Sequence, residues 1–151
     1  MIFLIRHAHA VSDEEDPLRP LSSKGRDQVA RVCDLLRSQA AFAPVEIWHS
    51  PLSRARETAA LLARGLGLQA RIVLRKGLEP DDDPAEVARA LNSERRSIAV
   101  VGHEPHLGIL ASLMARGPAL AHAHYHFSKA GVLALSRKDK GWRTEWLVRS
   151  P

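Results

Sequence analysis

The stretch Ser97-Ile98-Ala99-Val100-Val101-Gly102-His103-Glu104-Pro105-His106-Leu107-Gly108-Ile109-Leu110 decides the fold. Its first five residues are mostly apolar, three of them β-branched, which fits a strand buried on both faces. Gly102 and His103 end that run. Pro105 has the fixed φ of a helix start, and Leu107, Leu110, Ala111 and Met114 then recur at the three-and-four spacing of one helical face. A strand that passes directly into a helix, with a polar residue at the junction, is the unit from which parallel sheets are built.

The same pattern recurs along the chain. Ile2 to Ile5 is a short apolar run that stops at Arg6-His7; after Pro17 and Pro20, Ser22 can cap a helix with Val29, Val32, Cys33 and Leu36 on one side. Val45 to His49 predicts a second strand, and Ser50-Pro51 opens a helix through Ala55, Ala59 and Leu62 that stops at Gly65 or Gly67. Arg71 to Leu74 is a third strand candidate, followed by a helix with Asp83 as cap and Pro84 in its first turn. The last third differs: Val132 to Ser136 and Trp142 to Val148 predict a hairpin. The expected fold is α/β: a three-layer α/β/α sandwich with a mainly parallel sheet and antiparallel edge strands, in a single domain spanning residues 1–151.

Composition narrows the function. The 151 residues are 45% hydrophobic and 26% charged, ordinary for a soluble domain and unlike a disordered, collagen-like or coiled-coil chain. Net charge is +5, which favours anionic partners, but the cations are scattered and aromatic residues are only 5%, so a nucleic-acid groove with stacking platforms is not expected. Cys33 is the single cysteine, so no internal disulfide forms, and its apolar neighbours suit a small buried side chain. The five apolar residues before Arg6 are too few for a signal segment, and no later run spans a bilayer; no membrane association and a cytoplasmic location are expected.

Ligands of parallel α/β sheets bind beyond the carboxyl ends of the strands, where loops and helix N-termini meet. Arg6-His7, Ser50 and His103 all stand at such ends, and Arg54 lies one turn into the helix after the second strand. Two guanidiniums there would supply forked, permanently charged donors to phosphoryl oxygens. Their positive field would also keep a nearby imidazole neutral, so that His7 can attack phosphorus and pass through a covalent phosphohistidine. Taken one at a time, each residue has an ordinary structural reading: a hydrogen-bonded histidine or a solvated arginine.

The motifs together carry more. Arg6-His7-Ala8 after an apolar strand, Ser50-Pro51-Leu52-Ser53-Arg54-Ala55 with Thr58-Ala59, and Gly102-His103 resemble the histidine phosphatase superfamily, also called phosphoglycerate mutase-like. Arg19-Pro20-Leu21-Ser22 with Gly25, and Gly102-His103-Glu104-Pro105 with Leu107-Gly108, are similar to the short SixA-type phosphohistidine phosphatases. The resemblance implies His7 as nucleophile, Arg6, Arg54 and His103 as the phosphate pocket, and neither metal nor organic cofactor. It implies a phosphorylated protein or a small phosphorylated molecule as partner.

Larger members of that superfamily take a general acid from a loop after the second helix. Here the candidates are Glu79 and the aspartates 81–83, with Glu79 the first choice and Asp83 more simply a helix cap. Phosphohistidine can leave as imidazole, whose conjugate acid has a pKa of about 6.5, so a weak acid or none suits it better than an alkyl ester. His7 and His9 spell a His-x-His pair that can bind zinc, but the barrels that carry that pair run to about 250 residues. His122, His124 and His126 alternate and read as a polar loop before a strand or a weak metal site; Glu104 and His106 are placed at the pocket mouth. Against the leading phosphohistidine phosphatase stand a small-molecule phosphomonoesterase with the same pocket and a noncatalytic phosphate-binding adaptor. Oligomeric state is not legible.

Overall fold

The computed structural model describes residues 1–39, 41–121 and 125–150; His122 and His124 lie outside the described residues. Strand β1 (Ile2–Arg6) leads to helix α1 (Ser23–Arg37), β2 (Glu46–His49) to α2 (Ser53–Gly65), β3 (Arg71–Leu74) to α3 (Pro84–Ser93), and β4 (Ile98–Gly102) to α4 (His106–Arg116). A short 3-10 turn (Pro118–Leu120) precedes the hairpin of β5 (Val132–Lys138) and β6 (Gly141–Val148). All six strands join one sheet in the order β3-β2-β4-β1-β5-β6. The first four are mutually parallel and the hairpin adds antiparallel strands on one side, as the sequence pattern predicts.

Successive residues of the central strands feed opposite layers. Phe3, Ile5, Ile47, Ala99 and Val101 pack with Val29, Val32, Leu36, Ala55, Ala59 and Leu62 of α1 and α2. Ile2, Leu4, Trp48, Ile98 and Val100 pack with Val87, Leu91, Leu107, Leu110 and Met114 of α3 and α4. Both faces are thus covered, which is why these strands read as continuous apolar runs rather than alternating ones. Each fully buried Leu, Ile or Phe contributes about 1.5–3 kcal/mol relative to exposure, so the middle strands are the firmest part of the rim that carries the site.

Helix boundaries follow local chemistry with small departures. Ser22 caps α1 by accepting from the Gly25 N–H at 3.0 Å, and Asp83 caps α3 by accepting from the Ala85 N–H at 3.0 Å. Helix α2 begins at Ser53 rather than at Pro51, with Leu52 as its cap and no side chain serving it. The hydroxyl that the sequence offers there, Ser50 Oγ, accepts from the Leu52 N–H at 3.3 Å and lies 2.6 Å from His103 Nε2, so it reaches the cap residue and not the N–H groups of the first turn. In the hairpin a bulge between Ala134 and Leu135 shifts the pairing from Trp146 to Thr144. The extra residue puts Trp142 against the α3–α4 core and Trp146 against the α1–α2 core, although their spacing is even.

Candidate active site

The parallel register aligns Arg6 with Gly102, so His7 and His103 leave adjacent strands at the same height. The His7 N–H donates to the Gly102 carbonyl at 3.0 Å, and the two imidazole rings stand 5.0 Å apart, centre to centre, inclined by 49°. Strand β2 delivers Ser50 to the same rim, where its Oγ lies 2.6 Å from His103 Nε2. Arg54, in the first turn of α2, acts electrostatically on both rings, as does Arg6. The residues expected from strand ends and the early second helix therefore meet in one place.

Their protonation follows from the surroundings. His7 Nδ1 lies 2.7 Å from the Ala8 carbonyl, an acceptor only, so Nδ1 carries the hydrogen and Nε2 keeps its lone pair. The His7 pKa is lowered to about 4, with burial the largest cause, opposed by the Ala8 hydrogen bond and assisted by Arg54, Arg6 and Lys129. His103 is lowered to about 3, again by burial first, then by His7, Arg54, His106 and Arg6. Desolvation thus outweighs the cationic field that the sequence suggests as the cause. Arg6 Nε, Arg54 Nε and His103 Nδ1 are buried without a protein hydrogen-bond partner. Buried donors of this kind are costly unless something accepts from them, and a phosphoryl group has oxygens to do so.

The surrounding shell fixes these groups. Arg6 Nη1 donates to the Phe127 carbonyl at 2.8 Å, while Glu104 accepts from the Phe127 N–H at 3.3 Å and the Gly108 N–H at 2.8 Å. Thr58 Oγ1 accepts from the Ala8 N–H at 3.1 Å and donates to the Arg54 carbonyl at 2.7 Å, tying the loop after β1 to the turn that holds Arg54. His9 Nδ1 lies 2.7 Å from Ser22 Oγ, and the His9 N–H donates to Gln28 at 2.8 Å. Gly25 is required by this contact: a Cβ there would sit 2.0 Å from the His9 carbonyl oxygen. Arg19, Lys24 and Lys129 extend the positive charge outward, since all three act on His9.

Other expectations fare differently. Glu79 is exposed, its N–H bonded to Asp82 at 2.8 Å, and no carboxylate is among the strongest influences on His7 or His103. His106 does not line the pocket mouth: it is fully buried beneath the loop of Gly77, Asp82 and Asp83, because the first turn of α4 faces the core there. Glu104, half-buried, braces α4 to residue 127 by accepting from the Gly108 and Phe127 N–H groups. His49 bonds the Ser50 carbonyl at 2.7 Å, as a strand-end histidine should. The sequence offered Ser50 as a strand-end residue and Thr58 only as part of a motif, and nothing in local pattern pointed to Lys129, which acts on His7 from the turn before β5.

The family model of the histidine phosphatase superfamily (branch 1) matches residues 2–79. The chain belongs to the histidine phosphatase superfamily. Its members are hydrolases with a histidine nucleophile. Among solved structures, the protein histidine phosphatase SixA complexed with tungstate superposes with a TM-score of 0.85 at 22% identity, covering 99% of this chain and 96% of that one. A mycobacterial glucosyl-3-phosphoglycerate phosphatase bound to VO3 gives 0.70 at 17%, covering 99% of each chain. Phosphoserine phosphatase from Entamoeba histolytica, with 3-phosphoglyceric acid, gives 0.65 at 16%, covering 97% and 95%. At these identities the likeness speaks for the histidine phosphatase fold. No curated protein matches the chain by sequence.

Proposed function

We propose that this histidine phosphatase hydrolyses phosphohistidine on a protein, with His7 as nucleophile and Arg6, Arg54 and His103 holding the phosphoryl group. One observation carries the reading: a neutral histidine with a free Nε2 stands among buried, unpartnered cationic donors, with no acid placed strongly upon it. The SixA likeness agrees in fold.

The chemistry balances without a strong acid. A substrate phosphohistidine protonated on its other ring nitrogen is attacked by His7 Nε2; the Nε2–P bond forms, the substrate N–P bond breaks, and the substrate leaves as neutral imidazole. His7 Nδ1–H stays bonded to Ala8 throughout and takes up the positive charge of the phosphorylated ring. One N–P bond replaces another, so little driving force is needed, and the guanidiniums stabilise the equatorial oxygens in the transition state. If Ser50 donates to His103 Nε2, His103 presents Nδ1–H as a further donor. Water then attacks phosphorus, the Nε2–P bond breaks with its electrons returning to His7, and dihydrogen phosphate departs. Glu79 serves, in this scheme, only ester substrates whose alkoxide needs a proton. The reaction as proposed uses neither metal nor cofactor and runs in the cytoplasm.

The test is turnover of a phosphohistidine peptide against p-nitrophenyl phosphate, with an alkaline quench to trap the N-phosphoryl enzyme, whose N–P bond survives base and is lost in acid. Wild type should favour the peptide after correction for leaving group, and His7→Ala should lose about a thousandfold or more of kcat. A His7→Ala variant as active as wild type defeats the covalent step. The likeness to the glucosyl-3-phosphoglycerate and phosphoserine phosphatases favours a second reading, a small-molecule phosphomonoesterase. Clear preference for a sugar or amino-acid phosphate would select it.

A further inference from the structure

We propose that Ser50 is a positioning residue: its hydroxyl holds His103 in the Nδ1–H tautomer, so that His103 meets the phosphoryl group as a neutral hydrogen-bond donor. The inference rests on the phosphatase reading above and deepens it by naming the residue that sets how His103 receives a phosphoryl oxygen.

The hydrogens at this junction can be counted. Ser50 is fully buried, and its Oγ has two neighbours, the Leu52 N–H at 3.3 Å and His103 Nε2 at 2.6 Å. The Leu52 N–H can only donate, so Oγ accepts from it. The hydroxyl's own hydrogen needs an acceptor, and among the described residues His103 Nε2 is the one group within reach that can accept it. In the reverse arrangement, with Nε2–H donating to Oγ, a buried hydroxyl hydrogen would point at nothing, which folded proteins seldom tolerate. A neutral imidazole carries one hydrogen, and burial, with His7, Arg54, His106 and Arg6 nearby, keeps His103 neutral near pH 7. With Nε2 accepting from Ser50, the ring hydrogen is on Nδ1.

Nδ1 is itself buried and has no protein partner. The His7 ring stands 5.0 Å away, centre to centre, and a phosphoryl group joined to His7 Nε2 brings oxygens that can accept from His103. The two rings thus share a tautomer and differ in use. His7 commits its Nδ1–H to the Ala8 carbonyl and offers a lone pair, whereas His103 commits its lone pair to Ser50 and offers a hydrogen. Sheet register makes the contact possible: His49 of β2 lies beside Val101 of β4, so Ser50 leaves its strand level with Gly102, one residue before His103. The Leu52 bond ties the same hydroxyl to the start of α2, the helix that carries Arg54.

Two-bond proton–nitrogen correlation spectra of the protein with nitrogen-labelled histidine, recorded near neutral pH, read the tautomer without turnover. In phosphate-free wild type His103 should show a protonated Nδ1 and a bare Nε2, and inorganic phosphate should shift the Nδ1 resonance. A protonated Nε2, or an Nδ1 signal unmoved by saturating phosphate, overturns the proposal. Ser50→Ala should move His103 toward the Nε2–H form and lower kcat on a phosphohistidine peptide about tenfold or more, with a smaller change in KM. An unchanged tautomer or an unchanged kcat in that variant counts equally against it. Calorimetry with inorganic phosphate tests the same point with Ser50 intact. His103→Asn, whose amide N–H stands where Nδ1–H does, should bind more tightly than His103→Gln, whose amide reaches the Nε2 position; equal or reversed affinities overturn the assignment. The expected spectra and phosphate response in a protein that turns over neither phosphohistidine peptide nor p-nitrophenyl phosphate leave the role of Ser50 standing and remove the phosphatase reading.

Discussion

Two loops reach toward the rim of the sheet, and they are built in opposite ways. The loop between β1 and α1 is tied to distant parts of the chain: Ala8 to Thr58, His9 to Gln28, Leu21 to Glu57, and Val11 to Pro20 across its own neck. The loop between β3 and α3, which carries Glu79, closes mainly on itself, with Glu79 and Asp82 exchanging bonds and Asp83 capping the next helix. The cationic side is preorganised by long-range hydrogen bonds, whereas the acidic side is anchored by burial of Leu78 in the α3–α4 core and takes its side-chain hydrogen bonds from near neighbours. Electrostatic stabilisation depends on donors already in position before charge develops, so in the reaction proposed above the contrast assigns the preorganised side to holding the phosphoryl group rather than to protonating the leaving group.

Replacing Arg54 by Ala should do the greatest damage, lowering kcat/KM on a phosphohistidine peptide by about 100- to 1,000-fold. A loss under tenfold would mean that the braced side is not where transition-state charge is met. Gly25→Ala comes next: a Cβ 2.0 Å from the His9 carbonyl oxygen forces backbone to move and should cost about 1–3 kcal/mol in urea denaturation. Gly77→Ala in the other loop faces only strain from a φ of +86, its nearest foreign atom being 3.8 Å away, and should cost about 1 kcal/mol. Equal losses at the two glycines would erase the contrast.

Proton linkage probes the same side more gently. His7 and His103 titrate near 4 and 3 in the fold, below the unfolded value of about 6.5, so between those limits the unfolded chain binds protons that the native chain refuses. Stability in phosphate-free buffer should therefore be full above about pH 6.5 and fall as pH drops toward 4. His103→Asn should flatten that slope; an unchanged slope would show that His103 is not held neutral. The smallest effect belongs to Glu79→Gln, which should change phosphohistidine turnover by less than about threefold while slowing an alkyl phosphate more, as removal of a general acid does. A hundredfold loss on phosphohistidine would place Glu79 at the centre of the reaction.

What the sequence made legible was what neighbouring residues control. Apolar runs marked β1 and β4, Ser22 and Asp83 marked helix starts, and strand-end polar residues marked the rim where Arg6, His7, Arg54 and His103 meet. What escaped depends on chain segments far apart. The bulge opposite Glu145 inverts the facing of Trp146 relative to Trp142, which even spacing hides. Burial of His106 depends on the loop of Gly77 folding over α4, and the approach of Lys129 depends on the start of β5 lying beside β1. The dominance of burial over charge at His7 also needs three dimensions, because desolvation is a property of surroundings and not of spacing.

The aim of Arg6 has a consequence for synthesis. Its Nη1 depends on the carbonyl of Phe127, and Phe127 is steadied in turn by Glu104, so residues 6, 104 and 127 must all exist before the guanidinium is fixed. A polypeptide still emerging from the ribosome that has not reached residue 127 already holds Arg6 and His7 but lacks the carbonyl that aims the guanidinium. Fixing of the Arg6 guanidinium therefore waits on residue 127, long after Arg6 itself has been made.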